Sequence, residues 1–209
     1  DFILRPAQPA EVALRVRLLL RHRATVQQLA RDLDRQVELG IALSSERDLS
    51  SLLDRLVLEA RALTHADAGT LYTVDRREEV LRFRILHNDT LDVRRVSDSP
   101  TDSLLPPVPI APENVSGYVA LTGETICVDD VRRADRFDFS GPRRYDQLTG
   151  YVSISMLVVP IRDHEGVVIG VLQLINARHP RTGRVVPFRS RSVQRIQSLA
   201  SQAGIALTN

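Results

Sequence analysis

The chain has 209 residues, and its 28 basic residues, all arginines, are nearly balanced by 26 acidic ones to give a net charge of +2. A chain of this length buries roughly 70% of its extended surface, and its one cysteine, Cys127, excludes a multi-cysteine zinc site. The arginines are interleaved with acids instead of clustered, so we expect no nucleic-acid partner. No apolar run reaches the ~18 residues of a membrane span, so we expect a cytoplasmic protein with no membrane contact.

The chain opens on a short apolar strand, "DFIL", followed by Arg5, Pro6 and an amphipathic helix. Residues 1–23 resemble the C-terminal end of a response-regulator receiver domain, in which a last strand leads to a Lys-Pro pair and a closing helix. Arg5 takes the place of that lysine, and arginine and lysine are not interchangeable as point charges. An unrelated linker strand or a tag is the alternative interpretation.

A heptad pattern runs along the following helix, with apolar residues at alternating spacings of four and three. This pattern predicts a parallel two-stranded coiled coil, whereas a helix lying on its own domain would carry a broader apolar stripe. We therefore expect residues 24–45 to form a signalling helix and the chain to form a homodimer through its N- and C-terminal helices. The stripe consists of Val12, Val16, Leu19, Val26, Ala30, Leu33 and Val37.

The rest of the chain, 46–209, is predicted to be one domain of the α+β class, with a mostly antiparallel sheet flanked by helices. Asp48 is the predicted N-cap of a helix over 49–64, and a polar, irregular stretch over 131–150 suggests a lid. Apolar or alternating runs bounded by turn residues predict strands. These strands are 67–75, 79–89, a short one in "TICVDD", and a hairpin of 153–162 and 167–176; a short helix ends at Gly123 and a closing helix begins near 188.

Four stretches of this domain resemble the GAF domain family: "ADAGTLYTVD", "NVSGYVALTGETICVDDV", "TGYVSISMLVVPIRDHEGVVIGVLQLINA" and "SQAGIALTN". The resemblance is greatest to GAF modules that precede HD-GYP phosphodiesterases and class III nucleotide cyclases in bacteria. It implies a six-stranded, mostly antiparallel sheet with dimerising helices on one face and a ligand pocket on the other. It also implies a sensor that adjusts a downstream catalytic domain, with a cyclic nucleotide among the expected ligands.

The similar regulatory domains of cyclic-nucleotide phosphodiesterases share a motif of an Asn-Lys pair, a Phe and an Asp-Glu pair. Asn176 and Phe188 match it here, but Ala177 replaces the lysine and residues 191–193 carry no acid. The stabilising Lys-Asp pair of the motif therefore cannot form. A supporting ion pair is not a ligand contact, so the resemblance leaves cyclic-nucleotide binding open.

The candidate ligand site is the lid together with the hairpin beneath it. Its rings would stack on a planar base, its polar side chains would hydrogen-bond the base edge or a ribose, and the short helix would present free N–H groups to a phosphate. The alternative is that the phenylalanines pack on the sheet and the aspartates cap turns. We assign no metal site, and the sequence does not identify a cofactor. The candidate residues are Asn114, Ser116, Phe137, Asp138, Phe139, Asp146, Thr149, Tyr151, Ser153 and Gln173.

The sequence carries no P-loop, Gly-x-Ser-x-Gly, HExxH or HD motif, so we do not expect an enzyme. Asp129 and Asp130 are adjacent in a strand and would point to opposite faces. Cys127 is expected to be a small buried residue, with a redox role as the alternative. The sequence thus predicts a small-ligand sensor and dimerisation module, and the alternative is a ligandless scaffold that only relays signals.

Overall fold

The computed structural model describes residues 49–97 and 105–208, so the predicted receiver remnant and coiled-coil helix lie outside the described residues. Within these ranges, none of the helices is long and apolar enough to cross a membrane. The helices are α1 (Leu49–Thr64), α2 (Val115–Thr122), α3 (Ser140–Thr149) and α4 (Ser190–Thr208); the strands are β1 (Ala66–Asp75), β2 (Val80–Asn88), β3 (Val93–Val96), β4 (Val108–Pro109), β5 (Ile126–Val128), β6 (Met156–Arg162), β7 (Val168–Arg178) and β8 (Val185–Val186).

The strands form one antiparallel sheet in the order β3-β2-β1-β7-β6-β5, with β4 added to β2 and β8 added to β7. The predicted α+β class and antiparallel sheet are confirmed, and the two short additional strands extend the predicted six to eight. The long strands β1 and β7 lie at the centre and pair with each other. Residues that are far apart in the sequence therefore meet at the ends of these two strands.

Strand β2 contains an irregularity that the sequence pattern did not predict. Leu71 pairs with Ile85 and Tyr72 pairs with Phe83, so Arg84 is left over in the register. A residue without a partner in the opposite strand forms a β-bulge, and the bulge changes the direction of the side chains that follow it. The predicted strand over 79–89 is present as β2, but its alternation of side chains is interrupted at Arg84, which is buried.

The hairpin of β6 and β7 forms as predicted, but β6 begins at Met156 and not at residue 153. Pro160 pairs with Val171 of β7, and the other neighbour, β5, ends before reaching it. Proline has no N–H to donate, so Pro160 fits this part of β6, where β7 is the paired neighbour and β5 does not extend.

Helices α1 and α4 pack on one face of the sheet and against each other. The predicted helix over 49–64 is present as α1, and its apolar face points inward. The buried residues of this face are Leu52, Leu53, Leu56, Val57 and Ala60. In α4 the same is true of Ile196, Leu199, Ala200 and Ala203. Burial of such aliphatic side chains is the main favourable contribution to folding.

The opposite face is covered by α2, α3 and the loop before α3. The polar stretch 131–150, predicted to be irregular, contains the regular helix α3, which ends at Gly150 in the left-handed conformation with φ of 74°. A second apolar cluster lies beneath these elements and includes Leu81, Val115, Val119, Ile126, Val131, Phe137, Phe139, Met156, Val158 and Val171.

Helix α4 crosses the end of β6 at very short range. Gly204, inside α4, lies so close to β6 that an added Cβ would overlap the backbone carbonyl of Arg162. A glycine in a helix interior is otherwise unfavourable by roughly 0.5–1 kcal/mol. The close approach of two backbones accounts for its presence here.

We expect Gly204→Ala to lower the free energy of unfolding by about 1–3 kcal/mol, the usual cost of overpacking a close contact. The matched control is Gly141→Ala in α3, where an added Cβ meets nothing within 4 Å. That control should be neutral or stabilising by about 0.4–1 kcal/mol, because alanine restricts the unfolded chain. Urea denaturation of both variants measures the difference, and equal stability of the two would contradict the close approach.

Candidate functional site

A buried carboxylate, Asp67, joins several elements at one end of the sheet. Its Oδ2 accepts hydrogen bonds from the hydroxyls of Thr90 and Tyr151, both at 2.8 Å. Its Oδ1 accepts from the Arg178 guanidinium, with Nε at 3.0 Å and Nη2 at 2.8 Å. Burial and the neighbouring Asp67 charge raise the pKa of the Tyr151 phenol far above its usual value, so this hydroxyl stays protonated and acts as a donor.

Asn176, the first residue of the predicted motif, clamps the loop before β6. Its Oδ1 accepts from the backbone N–H of Ile154 at 2.8 Å, and its Nδ2 donates to the carbonyl of Val152 at 2.7 Å and to the Tyr151 hydroxyl at 3.0 Å. The backbone is left-handed, with φ of 58°, a conformation that asparagine tolerates better than most residues. Asn176 is therefore a structural residue in a loop that borders the candidate site.

The ion pair of the motif is absent at Ala177, as predicted, but an ion pair forms one residue later. Arg178 reaches Asp67 from the end of β7, and the carboxylate is 3% exposed. Phe188, the second matched motif residue, is buried. The chain thus holds this end of β7 with a different pair of charged residues.

The predicted aspartates are engaged with their own loops. Asp146 accepts from both the backbone N–H and the hydroxyl of Ser153, at 2.8 and 2.9 Å. Asp138 accepts from the backbone N–H and hydroxyl of Ser140 at the start of α3, and these bonds lower the pKa of its carboxyl. These contacts attach α3 to the flanking loops, which is the alternative that the sequence left open for these residues.

The two predicted stacking rings, Phe137 and Phe139, lie in the apolar cluster and are 7% and 1% exposed. They contact each other edge to face at a centroid distance of 6.4 Å, and Tyr118 contacts Phe137 at 5.3 Å. Arg136 covers the outer side, 5.0 Å from both the Tyr118 and Phe137 rings. In this conformation the rings contact protein on their faces, so they would have to move to stack on a ligand.

The remaining predicted residues are also enclosed. The amide of Gln173, buried in β7, accepts from the Tyr72 hydroxyl and lies 3.3 Å from the Met156 sulfur. Ser116 is buried in the first turn of α2, and Asn114 begins that helix without a side-chain cap. An added Cβ at Gly117 would lie 2.6 Å from the Pro109 carbonyl oxygen, so neighbouring backbone covers this helix start.

A cavity of about 420 Å³ lies instead between the β2–β3 edge of the sheet and α3. This volume is within the usual range for small-molecule sites, which are mostly apolar with a few polar groups. Among the predicted site residues, Thr149 lines it. The lining consists of Phe83, Leu86, Leu91, Val93, Arg95, Leu105, Tyr145 and Thr149.

The strand that forms one wall of the cavity also contacts helix α1. Val93 and Arg95 line the cavity, while Arg94 between them forms an ion pair with Asp54 of α1. The other oxygen of Asp54 lies 2.7 Å from His87 Nε2. Burial lowers the pKa of His87 although Asp54 favours its protonated form. The sequence patterns do not predict this cluster, although the acidic Asp54 among the apolar residues of the helix could have indicated it.

Cys127 is exposed, so the prediction that it would be buried is wrong. It lies in β5, a strand of three residues at the sheet edge, where its side chain points away from the cluster that holds Ile126. Partial desolvation and the nearby Asp129 raise the pKa of the thiol. A raised pKa reduces the thiolate fraction and therefore the reactivity of the cysteine.

Comparisons with known proteins agree with this geometry. The GAF domain model matches residues 48–207. A cGMP-specific 3',5'-cyclic phosphodiesterase of Drosophila mojavensis is 27% identical over 177 residues, covering 83% of this chain. The dual 3',5'-cyclic-AMP and -GMP phosphodiesterase 11A of Takifugu rubripes is 30% identical over 144 residues, covering 67% of the chain.

The chain spans 15% of the length of each of these two phosphodiesterases, so the similarity concerns one segment of a larger protein. Among solved structures, the GAF domain of an Acinetobacter phosphoenolpyruvate-protein phosphotransferase superposes with a TM-score of 0.61 at 18% identity. The alignment covers 85% of this chain and 93% of that domain. At this identity the likeness concerns the fold.

We expect Asn176→Gly to lower the free energy of unfolding by about 2–4 kcal/mol, because it removes three buried or partly buried hydrogen bonds worth roughly 1 kcal/mol each. Asn176→Ala should lose about 1 kcal/mol more, since alanine is strained at positive φ. Urea denaturation of both variants separates the loss of the hydrogen bonds, common to both, from the backbone strain added by alanine. A glycine variant as stable as the parent would contradict the clamp.

We also expect the free energy of unfolding to fall as the pH is lowered from 7.5 to 5.5. His87 binds a proton near its ordinary pKa of 6.5 in the unfolded chain, but burial lowers that pKa in the fold. The unfolded state then binds more protons, so the stability present above pH 6.5 is lost below it, by at most about 1.4 kcal/mol per pH unit. His87→Gln, which keeps an N–H for Asp54, should show a smaller loss; an unchanged pH dependence would contradict the assignment.

Proposed function

This chain belongs to the GAF domain family, and we propose that it is a regulatory sensor and dimerisation module. In this proposal a small ligand occupies the cavity beside β3, and its binding is relayed through the terminal helices. The relatives are named as cyclic-nucleotide phosphodiesterases, which supports a downstream phosphodiesterase or nucleotide cyclase as the regulated domain. We propose a bacterial, cytoplasmic multidomain protein in which that domain is of the HD-GYP or class III type.

The observation that carries the proposal is the double contact of β3. The side chains of Val93 and Arg95 lie on one face of β3 and line the cavity. The Arg94 side chain between them lies on the other face and pairs with Asp54 of α1. A ligand that shifts β3 therefore changes an ion pair on the helix side of the sheet. Such a ligand shifts the helix arrangement only through unequal affinity for the two arrangements.

A second route connects the other face of the sheet to α4. The Arg162 guanidinium donates to the carbonyl of Gly123 at the end of α2, at 2.9 Å, and the Arg162 backbone lies against Gly204 of α4. Gln197 of α4 donates to the Thr125 hydroxyl in the same connection, at 3.0 Å. A movement of α2 or β5 is thus passed on to the C-terminal helix.

We propose that the dimer forms through the helices on this side of the sheet. Helices α1 and α4 lie together, and each carries a large exposed apolar side chain, Leu58 and Ile205. The predicted coiled coil over 24–45 would continue the association toward the N-terminus. A receiver domain ending in residues 1–23 would then supply the upstream input.

The second candidate function is a ligandless scaffold. It is favoured by the buried pairs Tyr151–Asp67 and Tyr72–Gln173 and by the packed rings of Phe139 and its neighbours, which fill the space beneath the lid. In either case we propose that the chain itself is not an enzyme. The raised pKa of Cys127 is opposite to the shift that a redox nucleophile requires.

The proposal predicts a ligand-dependent change in the distance between the two α1 helices of the dimer. A spin label at Ala62→Cys, an exposed position of α1, in a Cys127→Ser background reports that distance by pulsed electron resonance. Ligands come from a thermal-shift panel of cAMP, cGMP, cyclic di-GMP and metabolites. At 100 times its dissociation constant a ligand adds about 2.7 kcal/mol of stability.

Arg94→Gln should abolish the distance change while the ligand still raises the melting temperature, because the cavity-lining neighbours Val93 and Arg95 remain. The matched control is Arg77→Gln in the exposed turn after β1, which should behave like the parent. A monomer by light scattering at high micromolar concentration would contradict the dimer. A ligand that binds without any distance change in the parent would contradict the relay.

A further inference from the structure

The cavity beside β3 is apolar over most of its surface. Five of its eight lining residues are Phe83, Leu86, Leu91, Val93 and Leu105, and the first two are also among the buried residues of the domain. Apolar lining of this kind stabilises a hydrocarbon body by about 25 cal/mol per Å² removed from water. It offers nothing to the polar edge of a base.

Three residues of the lining have polar side chains, and they differ in whether those side chains already have hydrogen-bond partners. Thr149 is committed, since its hydroxyl donates to the Tyr145 carbonyl at 2.8 Å and accepts from the backbone N–H of Tyr151 at 3.3 Å. The Arg95 guanidinium and the Tyr145 hydroxyl have no hydrogen-bond partner within residues 49–97 and 105–208. Burial and the nearby Asp146 carboxylate raise the pKa of the Tyr145 phenol, and the Arg95 charge is close enough to oppose this shift.

An arginine and a tyrosine hydroxyl beside an apolar cavity suit a single anionic group on an apolar body. Hydrogen bonds between a guanidinium and a carboxylate are charge-assisted and about twice as strong as neutral ones. A cyclic nucleotide needs more hydrogen-bond partners, because its base and ribose carry many polar groups. Each such group that is buried without a hydrogen-bond partner weakens binding, and within the described residues this lining has two polar side chains, Arg95 and Tyr145, that are not already hydrogen-bonded.

We propose that the cavity binds a small organic acid with an aliphatic or aromatic hydrocarbon body, whose carboxylate is held by Arg95 and Tyr145. This inference rests on the proposed sensor function and specifies its ligand class. The hydrocarbon body contacts Phe83, Leu86 and Val93, and the carboxylate lies at the mouth beside the exposed Arg95. Occupation then presses on β3, the strand that carries Arg94.

The test compares matched acids and alcohols on the full 209-residue chain by isothermal titration and thermal shift. The probes are octanoate and 4-phenylbutyrate, their uncharged counterparts 1-octanol and 4-phenyl-1-butanol, and the nucleotides cAMP and cGMP, all below micelle-forming concentrations. We expect the acids to raise the melting temperature and to bind at least tenfold more tightly than the alcohols.

Three variants isolate the carboxylate contact. Arg95→Gln should weaken acid binding at least tenfold and leave alcohol binding unchanged, and Arg95→Lys, which keeps the charge, should retain more of the affinity. Val93→Asp places a negative charge in the apolar wall and should abolish acid binding. The matched control Arg77→Gln, in an exposed turn, should bind like the parent. The melting temperature of each unliganded variant verifies that it folds.

Each other outcome overturns the inference in a recognisable way. Acids and alcohols that bind equally, or an Arg95→Gln variant that binds acids like the parent, exclude the carboxylate contact. Stabilisation by cAMP or cGMP but not by the acids excludes the ligand class and leaves the sensor function standing. If neither these probes nor the wider metabolite panel raises the melting temperature, both the ligand class and the sensor function are contradicted. That result favours the ligandless scaffold.

Discussion

The buried carboxylate of Asp67 is the interaction on which the geometry of the site depends. It lies on the central strand β1 and accepts hydrogen bonds from Thr90 in the β2–β3 turn, Tyr151 in the loop after α3, and Arg178 at the end of β7. A buried ion pair gains little net stability relative to apolar packing, because desolvating the charges is costly. Removing one partner is much more costly, so the four elements are held in one relative position.

Both walls of the cavity depend on this position. The β3 wall follows the turn that contains Thr90, and α3 is attached to the Tyr151 loop through the pairing of Asp146 with Ser153. Asn176 fixes the same loop through its backbone groups. The cavity is thus formed by elements that are separate in the sequence but share one polar centre.

The fold could be predicted from the sequence because its elements follow from local patterns: apolar stripes in α1 and α4, and alternating or apolar runs in the hairpin. The site could not, because its contacts join residues such as Asp67 and Arg178, 111 positions apart. Tyr151, Ser153 and Gln173 are candidate ligand contacts on the sequence pattern. In this structure their polar groups form hydrogen bonds with Asp67, Asp146 and Tyr72, respectively. The β-bulge at Arg84 has no hydrophobic periodicity of its own from which the sequence could predict it.

Two ion pairs hold the ends of the cavity walls, and their exposure differs. Asp67–Arg178 has a carboxylate side chain that is 3% exposed, whereas in Asp54–Arg94 the arginine is 60% exposed and solvent screens the attraction. Strand β3 is also a four-residue strand, and among the described strands it lies at the edge of the sheet and pairs with β2. In the proposed sensor, a ligand that fills the cavity would therefore move β3 at lower cost than the wall held by Asp67, and the contact to α1 would change first. Under the proposed function, the difference between the buried Asp67–Arg178 pair and the exposed Asp54–Arg94 pair would direct the response of the domain toward helix α1.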